Sequence, residues 1–259
     1  MNQMYKSQEP CLEAVNLTKR YEDGVLALDH VSFAVMPGQV FAILGGNGAG
    51  KTTAINLFLN FLEPTEGEAR VCGIPSHREP LRAKEKVAYV SENVMLYPNF
   101  TAIQNLDFFS RLGGKTSYTA DDYHRVLDRV GLERAWHRKR LKGFSKGMRQ
   151  KCGIAIAILK DAPAILLDEP TAGLDPKAGH EFLRLLHELK AEGKGILMST
   201  HDIFRAREVS DVVAIMDRGR IIMQKKSADL VGHDLEDIYM QYMAGHDGPS
   251  VATTESGHA

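Results

Sequence analysis

The sequence predicts an α/β fold with a mixed β-sheet core and an inserted α-helical subdomain. The first 90 residues consist mostly of strand-like runs and turns, and from about residue 164 strand-like and helix-like runs alternate, as expected for an α/β core. Between about residues 92 and 160 the apolar residues recur at helical spacing instead, which predicts the inserted helical subdomain. Residues 245–259 are rich in Gly, Ser, Thr and His without an apolar period, which predicts a disordered tail.

A glycine-rich loop lies within the first of these stretches. Residues 45–52 match the pattern Gly-x4-Gly-Lys-[Ser/Thr] in full. They follow a buried-strand pattern at residues 40–44 and precede a helical pattern that runs from Ile55 to Leu62. Glycines let the backbone curl until its N–H groups point at phosphate oxygens, and the following helix adds its positive N-terminal end. The chain is therefore predicted to bind a nucleoside triphosphate.

Two side chains of this loop have distinct expected partners. Lys51 would reach the β- and γ-phosphates, and the Thr52 hydroxyl would bind Mg²⁺, which prefers hard oxygen ligands. The residues predicted to hold phosphate here are Gly45, Asn47, Gly48, Ala49, Gly50, Lys51 and Thr52. A nucleotide and Mg²⁺ are therefore the expected ligands.

Two carboxylates follow an apolar run at residues 164–167. An Asp-Glu pair after aliphatic residues is by itself typical of a strand-to-turn boundary, but beside a phosphate loop it is the form that a magnesium-holding strand end takes. Asp168 is the predicted magnesium ligand. Glu169 would point the opposite way and is the predicted general base for an attacking water. Loop and carboxylates together predict a phosphate-loop ATPase core.

Ser145 and His201 stand next to two further predicted elements. Ser145 precedes an apolar helical run through Leu159, so it is predicted to cap that helix, and a helix start with a free hydroxyl is also an anion site. His201 follows a short strand at residues 196–200, where strand ends meet ligand in open α/β sheets. Taken alone, a simple helix cap and a structural histidine are the better explanations.

Composition excludes several classes of protein. The 259 residues carry 32 Lys and Arg against 33 Asp and Glu, so the whole chain has no bulk attraction to nucleic acid or anionic lipid. The longest aliphatic stretch, residues 154–159, is far below the roughly 20 residues that span a bilayer, and no charged-then-apolar leader begins the chain. A membrane role is therefore expected to need a partner chain. Cys11, Cys72 and Cys152 lack metal-ligand spacing and are expected to be thiols in the reducing cytoplasm.

A cationic run from Arg134 to Lys151 is the local exception to the charge balance, because it contains no carboxylate. A solvated surface explains this run better than nucleic-acid binding does, since its aromatic residues are limited to Trp136 and Phe144. No nucleic-acid partner is expected.

The order of these motifs resembles that of the ATP-binding subunit of ABC transporters. A phosphate loop is followed by a Ser-x-Gly helix start at Ser145, by Asp168 and Glu169, by Gly-Leu-Asp at residues 173–175, and by a strand-end histidine. The resemblance covers about residues 11–240, which would form one ABC ATPase domain. It implies that the nucleotide is ATP and that the protein is an ATPase.

The resemblance also implies roles for the residues of the chain's own site. Tyr21 would stack on adenine, and Thr53 would join the phosphate loop in its phosphate and magnesium contacts. Asp168 would be the magnesium carboxylate. Glu169 and His201 would be the catalytic residues, as the base and as the switch histidine that contacts the γ-phosphate.

In that family two nucleotide-binding domains dimerise head to tail, and each ATP lies between one subunit's phosphate loop and the other subunit's signature helix. By position, Ser145 and Gly147 would close over the partner's ATP, and Asp175 would lie in the loop that communicates across the dimer. Hydrolysis would remove the charge of the γ-phosphate, which both subunits contact, so the dimer would open. The resemblance implies a homodimer, or a heterodimer with a related ATPase.

Two features depart from the family's usual pattern, the signature sequence and the residue at position 92. The usual signature is Leu-Ser-Gly-Gly-Gln, whereas residues 144–148 read Phe-Ser-Lys-Gly-Met, with Lys146 in place of a glycine. This form resembles one used by ATPases of ABC-2-type exporters. Glu92 stands where the family usually has glutamine, and a carboxylate can still bind magnesium but cannot donate the amide hydrogen bond. Thr52, Asp168 and Glu92 are therefore the predicted metal ligands.

Two functions are compatible with the resemblance. The first is the ATP-hydrolysing subunit of a transporter at the cytoplasmic face of the cell membrane, which powers export through separate integral membrane permease subunits that dock on the helical subdomain between Glu92 and Phe109. The second is a soluble ABC ATPase that remodels a non-membrane partner, such as an iron–sulfur assembly or a nucleic-acid complex. The sequence favours the first, because a second nucleotide domain and a long coiled coil, typical of well-known soluble types, are missing from it.

Overall fold

Two β-sheets organise the part of the chain that the computed structural model describes, which is residues 9–230, 235 and 237–240. The strands are β1 (Leu12–Arg20), β2 (Leu26–Val35), β3 (Val40–Leu44), β4 (Glu66–Val71), β5 (Ile74–Pro75), β6 (Val87–Val90), β7 (Ala164–Asp168), β8 (Gly195–Thr200), β9 (Val212–Asp217) and β10 (Arg220–Lys226). The tail predicted at residues 245–259 lies outside the described residues. Within the described part, no helix has both the length and the apolar character to cross a membrane.

The larger sheet has the strand order β10-β9-β3-β8-β7-β6. Its strands from β9 to β6 run parallel, and β10 pairs antiparallel with β9. The smaller sheet, β2-β1-β4-β5, is antiparallel throughout. The α/β fold with a mixed sheet that the sequence predicts is therefore confirmed.

The parallel strands are apolar because both faces of the larger sheet are covered. Every residue of β3 and of β7 is buried, which is why β3, and β7 up to Asp168, are continuous apolar runs rather than alternating patterns. In β3, Phe41 and Ile43 face the cluster formed with α1 and the smaller sheet, whereas Val40, Ala42 and Leu44 face the cluster formed with the later helices. The strand that leads into the phosphate loop is thus fixed from both sides.

Helices flank this sheet and fill the stretch between β6 and β7. They are α1 (Lys51–Phe58), α2 (Pro80–Glu85), α3 (Ala102–Leu112), α4 (Ala120–Arg129), α5 (Arg134–His137), α6 (Lys146–Lys160), α7 (Pro176–Ala191) and α8 (Ile203–Val209). Capping boxes at Thr101 and Thr119 begin α3 and α4, since each threonine accepts from a backbone N–H and its own N–H is bound in return. Four α-helices, α3 to α6, are thus inserted between β6 and β7, which are neighbouring strands of the sheet.

The helix after the phosphate loop is shorter than its apolar pattern predicts. The pattern extends it to Leu62, which is wrong, because α1 ends at Phe58. Asn60 adopts a left-handed conformation with φ 50, and the Phe61 N–H bonds back to the carbonyl of Asn56 at 2.9 Å. These bonds close the helix end, and asparagine tolerates the conformation that they need. The apolar period continues to Leu62 because that side chain still packs on the core.

Candidate functional site

The ends of neighbouring parallel strands bring the predicted site residues to one edge of the sheet. β3 ends at Leu44, beside Thr200 at the end of β8. Ser199 of β8 lies in turn beside Asp168 at the end of β7. Because these strands are parallel, the residues that follow them lie at the same edge, where open α/β sheets bind ligands.

The phosphate loop needs glycine at positions where the backbone is closely approached. A Cβ atom on Gly45 would lie 2.4 Å from the carbonyl oxygen of Met216, and one on Gly50 would lie 2.6 Å from that of Ala27. Gly50 also has φ 110, a conformation that side chains disfavour, and it directly precedes α1. The tight curl of the loop therefore depends on these two residues, and the loop delivers Lys51 as the first residue of the helix.

Lys51 is held inside the loop by oxygen atoms. Its side chain is buried, and Nζ donates to the carbonyl oxygens of Gly45 at 2.7 Å and Gly46 at 3.1 Å. Nζ also lies 3.2 Å from Oε1 of Glu169. A buried ammonium group is costly without an anionic partner. The loop thus presents a cation that a phosphate oxygen can share with Glu169.

Thr52 and Asp168 meet at the next position of the site. The Thr52 hydroxyl donates to Asp168 Oδ1 and Oδ2 at 3.3 and 3.2 Å. The hydroxyl of Ser199 donates to Asp168 Oδ1 at 2.6 Å. A carboxylate beside a hydroxyl is the hard-oxygen donor set that Mg²⁺ prefers when phosphates complete its coordination, so these residues fit that ion. Burial, together with the negative charge of Asp168, also raises the pKa of the neighbouring Tyr89 to about 12.

Glu169 lies between two groups that can share its charge. Its Oε1 faces Lys51, and its Oε2 lies 2.9 Å from Nδ1 of His201. The Glu169 side chain is 14% exposed, whereas that of His201 is 59% exposed. The backbone of Glu169 has φ 45, and its N–H is bound by Ser199; such strained backbone is frequent at functional sites. The predicted base and the predicted switch histidine are thus in direct contact.

Two tyrosines lie at the margin of the site. The Tyr21 hydroxyl is 3.4 Å from the Thr53 hydroxyl in the first turn of α1, so the structure brings the predicted adenine-stacking residue close to the predicted phosphate-binding residue. Tyr239 lines a groove beside the phosphate loop together with Arg218. Burial and the negative charge of Glu169 raise the pKa of Tyr239.

The signature residues lie at the start of α6, apart from the phosphate loop. Ser145 caps the helix by accepting from the Met148 N–H at 3.2 Å, and it is exposed. Gly147 packs close to Leu174, to which a Cβ atom would come within 3.4 Å. Asp175 caps α7 by accepting from the Ala178 N–H. Among the described residues, no hydrogen bond or ion pair joins Ser145 or Gly147 to the phosphate loop.

Glu92 has a different partner from the one that the sequence predicts. Its Oε1 lies 3.2 Å from Nζ of Lys146, and among the described residues no hydrogen bond joins it to Thr52 or Asp168. Its place as a metal ligand stays a prediction.

Sequence reasoning missed Ser199 and Tyr239 as residues of the site. A hydroxyl side chain near the end of a strand that leads to a predicted site histidine is the signal that could have identified Ser199. No local pattern marks Tyr239.

A strand, a phosphate loop, a helix and a second parallel strand of the same sheet that ends at Asp168, just before Glu169, define a phosphate-loop nucleotide-binding protein. Residues 28–172 match the family model described as ABC transporter. The "Nod factor export ATP-binding protein I" of Ralstonia nicotianae is 36% identical over 248 residues, which are 94% of this chain and 75% of that protein. The "ABC transporter ATP-binding protein NatA" of Bacillus subtilis is 34% identical over 231 residues, which are 86% of this chain and 94% of that protein.

Solved structures agree with this match. A structure of the "ATP binding subunit of ABC transporter" has a TM-score of 0.78 and 31% identity, and it covers 90% of this chain and 99% of its own. The ATP-binding cassette MJ0796, as a dimer bound to ADP and Pi after hydrolysis, has a TM-score of 0.76 and 27% identity, covering 83% of this chain and 98% of its own. The chain belongs to the ABC transporter family, as an ATP-binding subunit and an ATPase.

Proposed function

We propose that this chain hydrolyses ATP, together with a second ATPase subunit, to drive export through a separate membrane permease at the cytoplasmic face of the cell membrane. The observation that carries the proposal is the set of contacts around Glu169. This carboxylate touches both the lysine of the phosphate loop and the strand-end histidine. Such an arrangement couples phosphate binding to a general base.

The chemistry follows from these contacts. In the structure Lys51 shares its charge with Glu169. A γ-phosphate bound in the loop competes for the Lys51 ammonium, which leaves the Glu169 carboxylate free to orient a water and accept its proton. The His201 ring can donate a hydrogen bond to Glu169 or to the phosphate, so it would change its partner when the γ-phosphate binds. Thr52 and Asp168 would hold Mg²⁺, which would neutralise charge on the phosphate oxygens.

A second subunit supplies what the phosphate loop lacks on its open side. Ser145 is exposed, and its hydroxyl and the helix dipole at the start of α6 form an anion-binding end. In the described part of the chain no hydrogen bond or ion pair joins that end to the phosphate loop, so we infer that it closes over the nucleotide of another subunit. The loop that ends at Asp175 lies beside it, because Leu174 packs near Gly147. A homodimer is the simplest arrangement, and a heterodimer with a related ATPase uses the same surfaces.

An exposed surface of aromatic and other apolar side chains on the helical subdomain supports the proposal of a membrane partner. It consists of Met95, Tyr97, Phe100, Phe108 and Leu112, which are exposed large apolar side chains. The rings of Tyr97 and Phe100 are 5.1 Å apart, and those of Tyr97 and Phe108 are 4.9 Å apart. Contiguous exposed apolar residues mark interaction sites. We infer that permease segments dock here, and the export named for the Ralstonia relative supports the direction of transport.

The direct test is a tagged pull-down from detergent-solubilised native cells, with co-purifying chains identified by mass spectrometry. The wild type is expected to recover a chain with several membrane spans. Met95→Asp and Leu112→Asp, whose side chains are 85% and 72% exposed, are expected to lose that chain without unfolding. Phe204→Asp is the matched control, because Phe204 is equally exposed at 72% but lies on α8. Recovery of only soluble partners would contradict the transporter proposal and leave the ATPase chemistry intact.

A further inference from the structure

One ion pair joins two of the residues at which this chain departs from the usual family pattern. Lys146 stands where the usual signature has glycine, and Glu92 stands where the family has glutamine. Lys146 Nζ lies 3.2 Å from Glu92 Oε1, although the residues are 54 positions apart. The substituted cation and the substituted anion thus meet within one subunit.

The lysine side chain also lies close to the loop that follows the predicted catalytic base. A Cβ atom added to Gly173 would lie 3.6 Å from both Cδ and Nζ of Lys146. Gly173 belongs to the segment between Glu169 and α7, and Glu92 belongs to the segment that follows β6. β6 and β7 are parallel neighbours, so both segments leave the sheet at the same edge. The Lys146 side chain therefore pairs with one loop of this edge and lies close to a second.

Helix electrostatics make an unpaired lysine unfavourable at this position. Lys146 is the first residue of α6, and the N-terminal end of a helix repels cations and attracts anions. The Glu92 carboxylate offsets this repulsion, because it pairs with the Lys146 ammonium and places a negative charge near the helix end. The two side chains are 35% and 45% exposed, and ion pairs of this kind contribute little to global stability. The pair is therefore better suited to setting a local position than to holding the fold.

We propose that Glu92 and Lys146 act as one unit that positions the amino-terminal end of α6 relative to the loop of the catalytic base, and thereby tunes ATP hydrolysis. Both are positioning residues in this role. The inference rests on the proposed function, since it assumes that the α6 end takes part in hydrolysis. If the two residues act as one unit, then changing either residue alone to the usual family residue lowers the rate of ATP hydrolysis.

A double-mutant cycle tests this inference. The variants are Glu92→Gln, Lys146→Gly and the double variant, with kcat and KM for ATP measured for each. Each single change is expected to lower kcat about 5-fold or more, and the double variant is expected to recover most of the loss, because contacting residues are non-additive. The charge-swapped variant E92K/K146E is expected to recover part of it. If Glu92 instead acts only as a metal ligand, Glu92→Gln has the same effect in both backgrounds, and this result would overturn the proposal.

Trp136 provides a readout that does not depend on turnover. It is the only tryptophan of the chain, and its ring lies 5.6 Å from that of Phe144, immediately before Ser145. Each single variant is expected to shift Trp136 emission, and the double variant is expected to return it toward the wild-type value. Unchanged emission in both single variants would contradict a positioning role. Urea unfolding of every variant shows whether a lost rate reflects lost folding.

The ion pair between Lys151 and Glu181 is the matched control. Lys151 lies on α6, as Lys146 does, and its Nζ is 2.9 Å from Oε2 of Glu181 on α7. The cycle of Lys151→Met and Glu181→Gln is expected to show no coupling in kcat. Coupling of equal size there would mean that any ion pair on α6 has this effect, which would refute the specific role. If the wild type hydrolyses no ATP, the proposed function fails. If it does, but the fold-changes in kcat of the two single variants multiply in the double variant, the residues act independently and only this inference fails.

Discussion

The phosphate loop and the start of α6, which we propose bind the nucleotide from two sides, are built in opposite ways. The loop is enclosed: Lys51 is buried among three oxygen partners, and Gly45 leaves no room for a side chain. The start of α6 is open, because Ser145 is exposed and Lys146 is only partly covered. Under the proposed function, one chain would carry a preformed half of a nucleotide site and a second half that faces outward. Such a chain would need a second subunit to complete each site.

The largest effect is expected at the base inside the enclosed half. Glu169→Gln keeps the shape of the side chain but removes its ability to accept a proton, so kcat should fall by about 10²–10⁴. ATP binding should persist, and gel filtration with ATP should show a trapped dimer. Turnover that is undiminished in this variant would refute the assignment of Glu169 as the base.

Loss of the loop cation is expected to have the next largest effect. Lys51→Ala removes the ammonium that touches Glu169 and that would contact phosphate, which should lower kcat/KM by about 10²–10³. Unlike Glu169→Gln, this variant should also lose ATP affinity, as measured by calorimetry. Equal affinity in wild type and variant would mean that Lys51 does not bind phosphate.

The adenine contact is expected to have a smaller effect that is confined to binding. Tyr21→Ala should weaken ATP affinity by about 10-fold, because stacking of a base on an aromatic ring contributes about 1–3 kcal/mol. Tyr21→Phe keeps the ring and should bind ATP almost as well as the wild type. If both variants lose affinity equally, the contact of the Tyr21 hydroxyl with Thr53 matters rather than the stacking.

The smallest effect is expected on stability, at the helix caps. Ser145→Ala and Thr119→Ala each remove a side-chain cap and should each lower the free energy of unfolding by about 1 kcal/mol. Only Ser145→Ala should also lower the ATPase rate, because the helix that Thr119 caps, α4, carries no predicted site residue. Equal rates for the two variants would show that Ser145 serves only as a cap.

Local sequence predicted what local chemistry determines. Three features could be predicted because each depends on a few consecutive residues. They are the loop at residues 45–52, the strand that ends at Asp168 and the cap at Ser145. The end of α1 could not be predicted, because the left-handed Asn60 stops the helix while the apolar period continues. The pairing of Glu92 with Lys146 was not readable either, because it depends on how distant segments pack.

The open end of α6 is expected to complete the enclosed site of another copy, and a mixing experiment tests this directly. Lys51→Ala disables the phosphate loop, and Ser145→Arg blocks the helix end, so each variant alone should be inactive. Equal amounts mixed with ATP should regain about a quarter of the wild-type rate, since half of the dimers are mixed and each has one intact site of two. A mixture no more active than the variants alone would contradict the account.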